Sequence, residues 1–418
     1  MCYIYPMKVG ILTTFNDFDT GYSLCSVVND QLNMHVRKGY EVVLFVLESF
    51  RGEVPEGVEV RKVIPPIILE PYAGDKFPEC WEEDAKRVSD ALQEHCRDID
   101  ILIDHDWIFI DAYLPYNIGL RQAQLSAKHF HWIHSAPSPR KEFEDNPHAN
   151  RYNPFPNSKI IYLNNDKPMA VAEMFGTHLN QVRVIHNSRD PRTFWNLDPF
   201  VNQMIDKYDL MSADIVSCYP LSSTRMVEGK QIDVAIRIHA ELNKLGLDTR
   251  LIVPNAHANA EKEKHTVDQM IELAKSQGLE EHQILFTSKE GYDTGIPAHM
   301  VSDFFRISNV FIFPSISENC SLVLLEAMLA GNLLVLNKDC SGLQEFGGEN
   351  AIYFKFGNID MGTRNHEQAL QKPSYLSDIA RIIKSEYETN KVLKSQRKAF
   401  KEFNLDYIMS KIENLYYE

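Results

Sequence analysis

Two carboxylates at a fixed spacing, Glu318 and Glu326, are the first groups in this 418-residue chain that could do chemistry. They lie in "PSISENCSLVLLEAMLAGNLLVL", residues 314–336. Residues 309–313 read as an apolar strand that ends at Pro314, so 315–321 is a loop at its carboxyl end. Ser321 can cap the helix that follows, and Gly331 can end it. Glu318 then falls in the loop and Glu326 in the second turn of the helix. The helix N-terminus, from Asn319 and Cys320 through Ser321 to Leu322, offers free amide N–H groups and a partial positive charge. That end suits a diphosphate, and a loop carboxylate beside it can accept hydrogen bonds from sugar hydroxyls.

A second group of chemically able residues is Asp104, His105 and Asp106 in "ILIDHDWIFI". An Asp-x-Asp can hold a divalent cation at a diphosphate. The same residues can also serve an acceptor, act as a general base, or form a structural turn. His239, His257 and His282 lack the mutual spacing of a metal site.

These residues need elements to position them. Strands are expected at 8–12, 41–47, 101–103, 129–133, 159–163 and 181–185, alternating with helical stretches. A polar, Pro-marked stretch from His186 to about Asp206 reads as a linker. The same alternation then resumes, with strands at 214–218, 250–253, 283–287, 309–313, 333–336 and, last, 351–354. Helices are expected at 230–245, 265–276, 298–307 and 321–330, and again in the tail from Ser374 onward. Strands alternating with helices predict parallel sheets, and apolar runs without alternation fit strands buried on both faces. The fold class is therefore α/β with two Rossmann-like domains, at 1–205 and 206–374, followed by a helical segment at 375–418. In such sheets ligands bind outside the carboxyl ends of the strands.

The framed block at Pro314, Ser315, Glu318, Leu322, Val323, Leu325, Glu326, Ala327, Met328, Gly331 and Val335 resembles the retaining glycosyltransferases of family four, whose hallmark is Glu, seven residues, Glu. A second block, "TRMVEGKQIDVAIRIHAELNKLG", resembles that family's Arg and Lys before the first helix of the second domain, here Arg225 and Lys230. The resemblance spans about residues 7–360 and is strongest over 214–354. It implies the GT-B architecture, two domains across a cleft with C-terminal helices returning to the first. By resemblance, Glu326 takes the ribose hydroxyls of a nucleotide-sugar donor and Glu318 the transferred sugar. Arg225 and Lys230 would hold the diphosphate, where two cations neutralise a leaving group; a solvated pair is the alternative. His134 in "HWIHSAP" would reach donor or acceptor, against a satisfied core or surface histidine. Gly21 would let its loop approach a ligand, against a plain helix start.

The implied activity is metal-independent hexosyl or pentosyl transfer to an acceptor hydroxyl with retained configuration, requiring no cofactor. A nucleotide-sugar-binding pseudoenzyme and a sugar phosphorylase on the same fold are the alternatives. The chain departs from the family where Gly-Phe-Gly becomes Asn319-Cys320-Ser321 and where a glycine becomes Gln231. A basic, aromatic stretch from Arg121 to Lys159 points to an anionic acceptor: a phosphorylated sugar, a lipid-linked phosphate or a hydroxylated DNA base. The net charge of −15 weighs against DNA. No run reaches the roughly 18 apolar residues of a membrane span. Seven scattered cysteines without a CxxC pair read as reduced thiols. A soluble cytoplasmic protein is expected.

Overall fold

The structure is a computed structural model that describes residues 7–19, 21–67, 79–134, 155 and 157–418. It divides into two compact units, residues 1–190 with 402–418, and residues 191–401.

The first unit is built on a seven-stranded parallel sheet. Its strands are β1 (Lys8–Leu12), β2 (Glu41–Leu47), β3 (Val58–Ile64), β4 (Ile101–His105), β5 (Lys128–Ile133), β6 (Ser158–Tyr162) and β7 (Val182–Val184), in the order β3-β2-β1-β4-β5-β6-β7. The order reverses direction between β1 and β4, the topological switch of a doubly wound sheet. Helices α1 (Ser23–Arg37), α2 (Trp81–His95), α3 (Leu114–Ala123) and α4 (Pro168–Met174) connect the strands. Gly39, with φ +83°, ends α1 as its sequence suggests, its N–H bonded to the Val36 carbonyl at 3.0 Å. Strand β3 was not among the sequence expectations. It lies at the sheet edge, and "VEVRKVI" alternates half-buried and exposed residues instead of presenting a continuous apolar run.

The second unit repeats the plan. Before its sheet come α5 (Pro191–Phe194) and α6 (Pro199–Tyr208), then β8 (Ile215–Cys218), a two-residue β9 (Leu221–Ser222), α7 (Ile232–Lys244), β10 (Thr249–Val253) and a two-residue β11 (Asn255–Ala256). There follow α8 (Glu261–Ser276), β12 (Ile284–Phe286), α9 (Ala298–Ile307), β13 (Val310–Phe313), α10 (Leu322–Leu329), β14 (Leu333–Asn337), α11 (Ser341–Gly347) and β15 (Ala351–Phe354). Parallel ladders run β12-β10-β8 and β13-β14-β15. Asn309 joins them. Its N–H donates to the Val216 carbonyl at 2.9 Å, and its Oδ1 accepts from the Val216 N–H at 2.8 Å. A side chain thus supplies the ladder bond that β13 lacks, and β8 and β13 lie side by side. The second sheet has the same reversal as the first.

The unit boundary falls after Asp190, ahead of the expected 205. The stretch 186–206 is not a bare linker: Leu197, Val201, Met204 and Ile205 are buried in the second unit's core. β15 is not the last strand either. An exposed antiparallel hairpin, β16 (Gly357–Asp360) and β17 (Thr363–His366), follows it, with polar residues that give no apolar signal. Of the tail helices, α12 (Pro373–Thr389) and α13 (Lys391–Glu402) bury Ile379, Ile383, Leu393 and Phe400 in the second core. Only α14 (Leu405–Tyr416) joins the first, through Leu405, Ile408, Met409, Ile412 and Tyr416. Among the described residues no helix is long and apolar enough to cross a membrane.

Several histidines are sealed in these cores. His35 and His239 are fully buried, and burial pulls their pKa values down to about 4 and about 3. Both are neutral when folded, whereas the unfolded chain protonates them near pH 6.5. As pH falls below that value the unfolded state takes up protons the folded state refuses. Each such histidine then costs about 1.4 kcal/mol of stability per pH unit until its folded pKa is reached. Urea unfolding should show stability dropping steeply from pH 6.5 to 5, and His239→Leu should flatten that slope; a pH-independent midpoint would refute this.

Candidate functional site

The carboxyl ends of β8 and β13 frame the switch point of the second sheet. The chain leaving β8 passes Tyr219, makes a short turn at Ser223–Arg225, and reaches Lys230 just before α7. The chain leaving β13 runs from Pro314 to Ser321 and enters α10. Hydrogen bonds stitch the two loops together. The Ile316 N–H donates to the Gly229 carbonyl at 2.9 Å, and Ser315 Oγ donates to the same carbonyl at 3.3 Å. The fully buried Tyr219 hydroxyl donates to the Lys230 carbonyl at 2.6 Å.

Lys230 Nζ ends against Glu318 Oε1 in a short ion-paired hydrogen bond, with side chains only 20% and 11% exposed. The ammonium also lies 5.5 Å from the centre of the Phe313 ring, which adds cation–π attraction. The cation and the loop carboxylate expected from sequence are therefore in contact.

Ser321 caps α10 as expected, its Oγ accepting from the Leu324 N–H at 3.4 Å. Gly331, with φ +74°, ends the helix. Asn319 and Cys320 are exposed at the helix entrance, and Leu322 is 69% exposed. Glu326 is half-buried, and burial raises its pKa. It sits near enough to the end of β8 that its charge pushes the buried Cys218 thiol up further, after burial itself. Arg225 is exposed, and no ion pair joins it to Glu318 or Glu326.

Three positioning residues escaped the sequence reading. Gln231, just before α7, has a left-handed backbone, φ +50°. Its buried Nε2 donates to the carbonyls of Pro314 at 3.0 Å and Phe356 at 2.9 Å. One side chain thereby ties the loops after β8, β13 and β15. Asn337, at the end of β14, does similar work. Its Nδ2 donates to the carbonyls of Ser315 and Gly357 at 3.0 and 2.7 Å, and its Oδ1 accepts from the N–H groups of Phe356 and Asp339. A lone Asn closing "LLVLN" was the available signal. Gly342 is the third: a Cβ there would strike the Glu318 carbonyl and lie 2.6 Å from that of Asn319. Only a glycine lets α11 pass this close beneath the Glu318 backbone.

The remaining candidates lie in the first unit. Gly21 has an ordinary backbone angle, and its N–H donates to Asp19 Oδ1 at 2.8 Å. Asp104, His105 and Asp106 close β4 with their side chains on different partners. Asp104 Oδ2 meets His131 Nδ1 at 2.5 Å in the core. His105 Nδ1 meets His134 Nε2 at 2.8 Å. Asp106, with φ +60°, accepts the His134 backbone N–H at 2.9 Å. Most of the basic stretch 121–159 lies outside the described residues.

The loops that carry Lys230, Glu318 and Glu326 lie within a stretch that matches a known family. Residues 219–386 match the family described as glycosyl transferases group 1. Among solved structures, a glycosyltransferase from Rickettsia africae is 13% identical, with 99% of this chain and 98% of that one covered at a TM-score of 0.36. An Anabaena protein, HepE, solved in complex with UDP, is 16% identical over 98% of this chain and 99% of that one, at 0.34. An α,α-trehalose-phosphate synthase from Burkholderia xenovorans, in complex with glucose-6-phosphate, is 12% identical over 99% and 100%, at 0.37. No curated protein matches the chain.

The Gln231 tie yields a direct test. Gln231→Ala removes the side-chain donor from the Pro314 and Phe356 carbonyls, of which the second keeps the Glu367 N–H at 3.3 Å, and leaves a Cβ-bearing residue at positive φ, so it should cost about 1–3 kcal/mol. Gln231→Gly relieves the backbone and should cost about 1 kcal/mol less. Denaturant titration of both variants checks the order; equal stabilities would contradict it.

Proposed function

We propose, taking residues 219–386 as a group 1 glycosyl transferase domain, that the chain moves a sugar from a nucleotide-sugar donor to an acceptor hydroxyl. The observation that carries this reading is the Lys230–Glu318 pair at the switch point between β8 and β13, beside the capped N-terminus of α10. Each partner offers what one half of such a donor needs. The ammonium and the helix amides suit the diphosphate, and the carboxylate suits sugar hydroxyls.

In the free protein the two charges satisfy each other. On donor binding a phosphate oxygen takes over the Lys230 ammonium, and Glu318 turns to accept hydrogen bonds from the sugar. Arg225, exposed and unpaired with the two glutamates, is the second cation for the diphosphate. Glu326, half-buried one turn further along, accepts from the ribose. Charge developing on the departing diphosphate meets Lys230, Arg225 and the helix dipole, the kind of fixed electrostatic stabilisation that lowers a barrier most. Retention of configuration follows if the leaving phosphate assists the acceptor on the same face. The reading needs no metal. His134 and the end of β4 serve the acceptor side, and an anionic acceptor suits the basic stretch that includes Arg121 and Lys159.

The substituted glycines favour turnover over a binding-only protein. Gln231 keeps the backbone angle and adds two hydrogen bonds, so this part of the site is reinforced. Asn319 and Cys320, exposed at the entrance to α10, bear on which sugar fits.

Incubation with a panel of nucleotide sugars, followed by mass spectrometry, should show release of nucleoside diphosphate and a glycosylated product. Lys230→Ala and Glu326→Ala should each lower the rate about 100- to 1,000-fold. Undiminished rates in both variants would remove the site. Donor binding without turnover would leave a pseudoenzyme, and activity that requires inorganic phosphate as the acceptor would make it a phosphorylase.

A further inference from the structure

A chain of hydrogen bonds in the first unit leads from the C-terminal helix to His134. The Tyr416 hydroxyl donates to His35 Nε2 at 2.6 Å, and His35 Nδ1–H donates to the Gln31 backbone carbonyl at 2.7 Å. The Gln31 side chain then presents Oε1, which only accepts, to His105 Nε2 at 3.0 Å. With the Gln31 amide oxygen assigned toward His105, the His105 proton sits on Nε2. A neutral imidazole has one N–H, so His105 Nδ1 is an acceptor. The group facing it at 2.8 Å is His134 Nε2, which must donate.

The consequence reaches the end of the chain. With its proton on Nε2, His134 has a bare lone pair on Nδ1, and no described residue hydrogen-bonds that atom. Its ring is held at one end by His105, with the two rings 5.1 Å apart, and its backbone N–H is held by Asp106. His134 follows β5 at the carboxyl end of the sheet, where ligands of doubly wound sheets bind. Burial holds both histidines neutral, His105 well below its usual value and His134 at about 4.

We propose that His105, fixed by Gln31, is a positioning residue that sets the tautomer of His134 and so presents the His134 Nδ1 lone pair to a substrate hydroxyl. This rests on the transfer reading for the presence of that hydroxyl, but the tautomer is independent of it. Asp106 belongs to the same device, since its left-handed backbone turns its carboxylate back onto the His134 amide. His35, bonded to Tyr416, holds the α1 backbone at Gln31, the residue whose side chain meets His105.

The test uses the full chain labelled with ¹⁵N in its histidine rings. In the wild-type spectrum, with His134 assigned by His134→Gln, Nε2 should be protonated and Nδ1 bare. His105→Phe removes the acceptor and should mix the two tautomers. His105→Asn keeps an acceptor oxygen near the position of Nδ1 and should retain the wild-type signature. In the transfer assay His105→Phe should lower kcat about 10- to 100-fold with little change in donor KM, and His105→Asn should recover most of it. A proton on His134 Nδ1 in the wild type, or a His105→Phe spectrum identical to it, overturns the proposal. The wild-type spectrum decides the tautomer even if a variant fails to fold. The expected tautomer in a protein that transfers from no donor would overturn the transfer reading and the substrate role, while supporting the positioning.

Discussion

An ammonium and a carboxylate held together where a parallel sheet reverses direction are the constraint around which the second unit is organised. Lys230 and Glu318 come from different loops, and neither residue lies within a strand or helix that would fix it. Their meeting depends on β8 and β13 being neighbours, which Asn309 secures by standing in for a strand bond. It depends also on Gln231, Asn337 and Gly342, which tie or shelve the loop backbones. A half-buried ion pair adds little net stability, because desolvation offsets most of the attraction. The surrounding polar ties hold the pair in place, and the proposed donor gives both charges a partner.

That arrangement also bears on the two places where the sequence departs from the pattern it resembles. A glycine at the entry to α7 allows a left-handed turn at no steric cost. Gln231 adopts such a turn and offsets the strain by donating to the carbonyls of Pro314 and Phe356. At the entrance to α10 the exchange is different. Asn319 and Cys320 are exposed, and they alter the surface a ligand meets without altering how the loop is held.

The sequence was most informative where apolar runs are long and buried. Strands β1 and β2 and helix α9 were read to the residue, because burial on both faces of a sheet, or one clean helical stripe, leaves little ambiguity; β15, a half-buried edge strand, was read from its short apolar run. Edge and surface elements were illegible for the converse reason: β3 is half-exposed and the β16–β17 hairpin is almost wholly polar. The stretch around Pro191 and Pro199 looked like a linker because proline marks turns, yet proline is equally at home in the first turn of a helix, where α5 and α6 use it. In the site, the two glutamates, Arg225 and Lys230 were visible through spacing and resemblance. The contact between Lys230 and Glu318, and the roles of Gln231, Asn337 and Gly342, depend on backbone carbonyls brought together by the fold. No local pattern encodes those.

The most direct measurement is a crystal structure of the full chain with a bound nucleoside diphosphate. The account predicts the terminal phosphate within hydrogen-bonding distance of Lys230 Nζ and the first amides of α10, with the Lys230–Glu318 hydrogen bond broken and Glu318 freed. A nucleotide bound elsewhere, or one bound while Lys230 stays locked to Glu318, would contradict it.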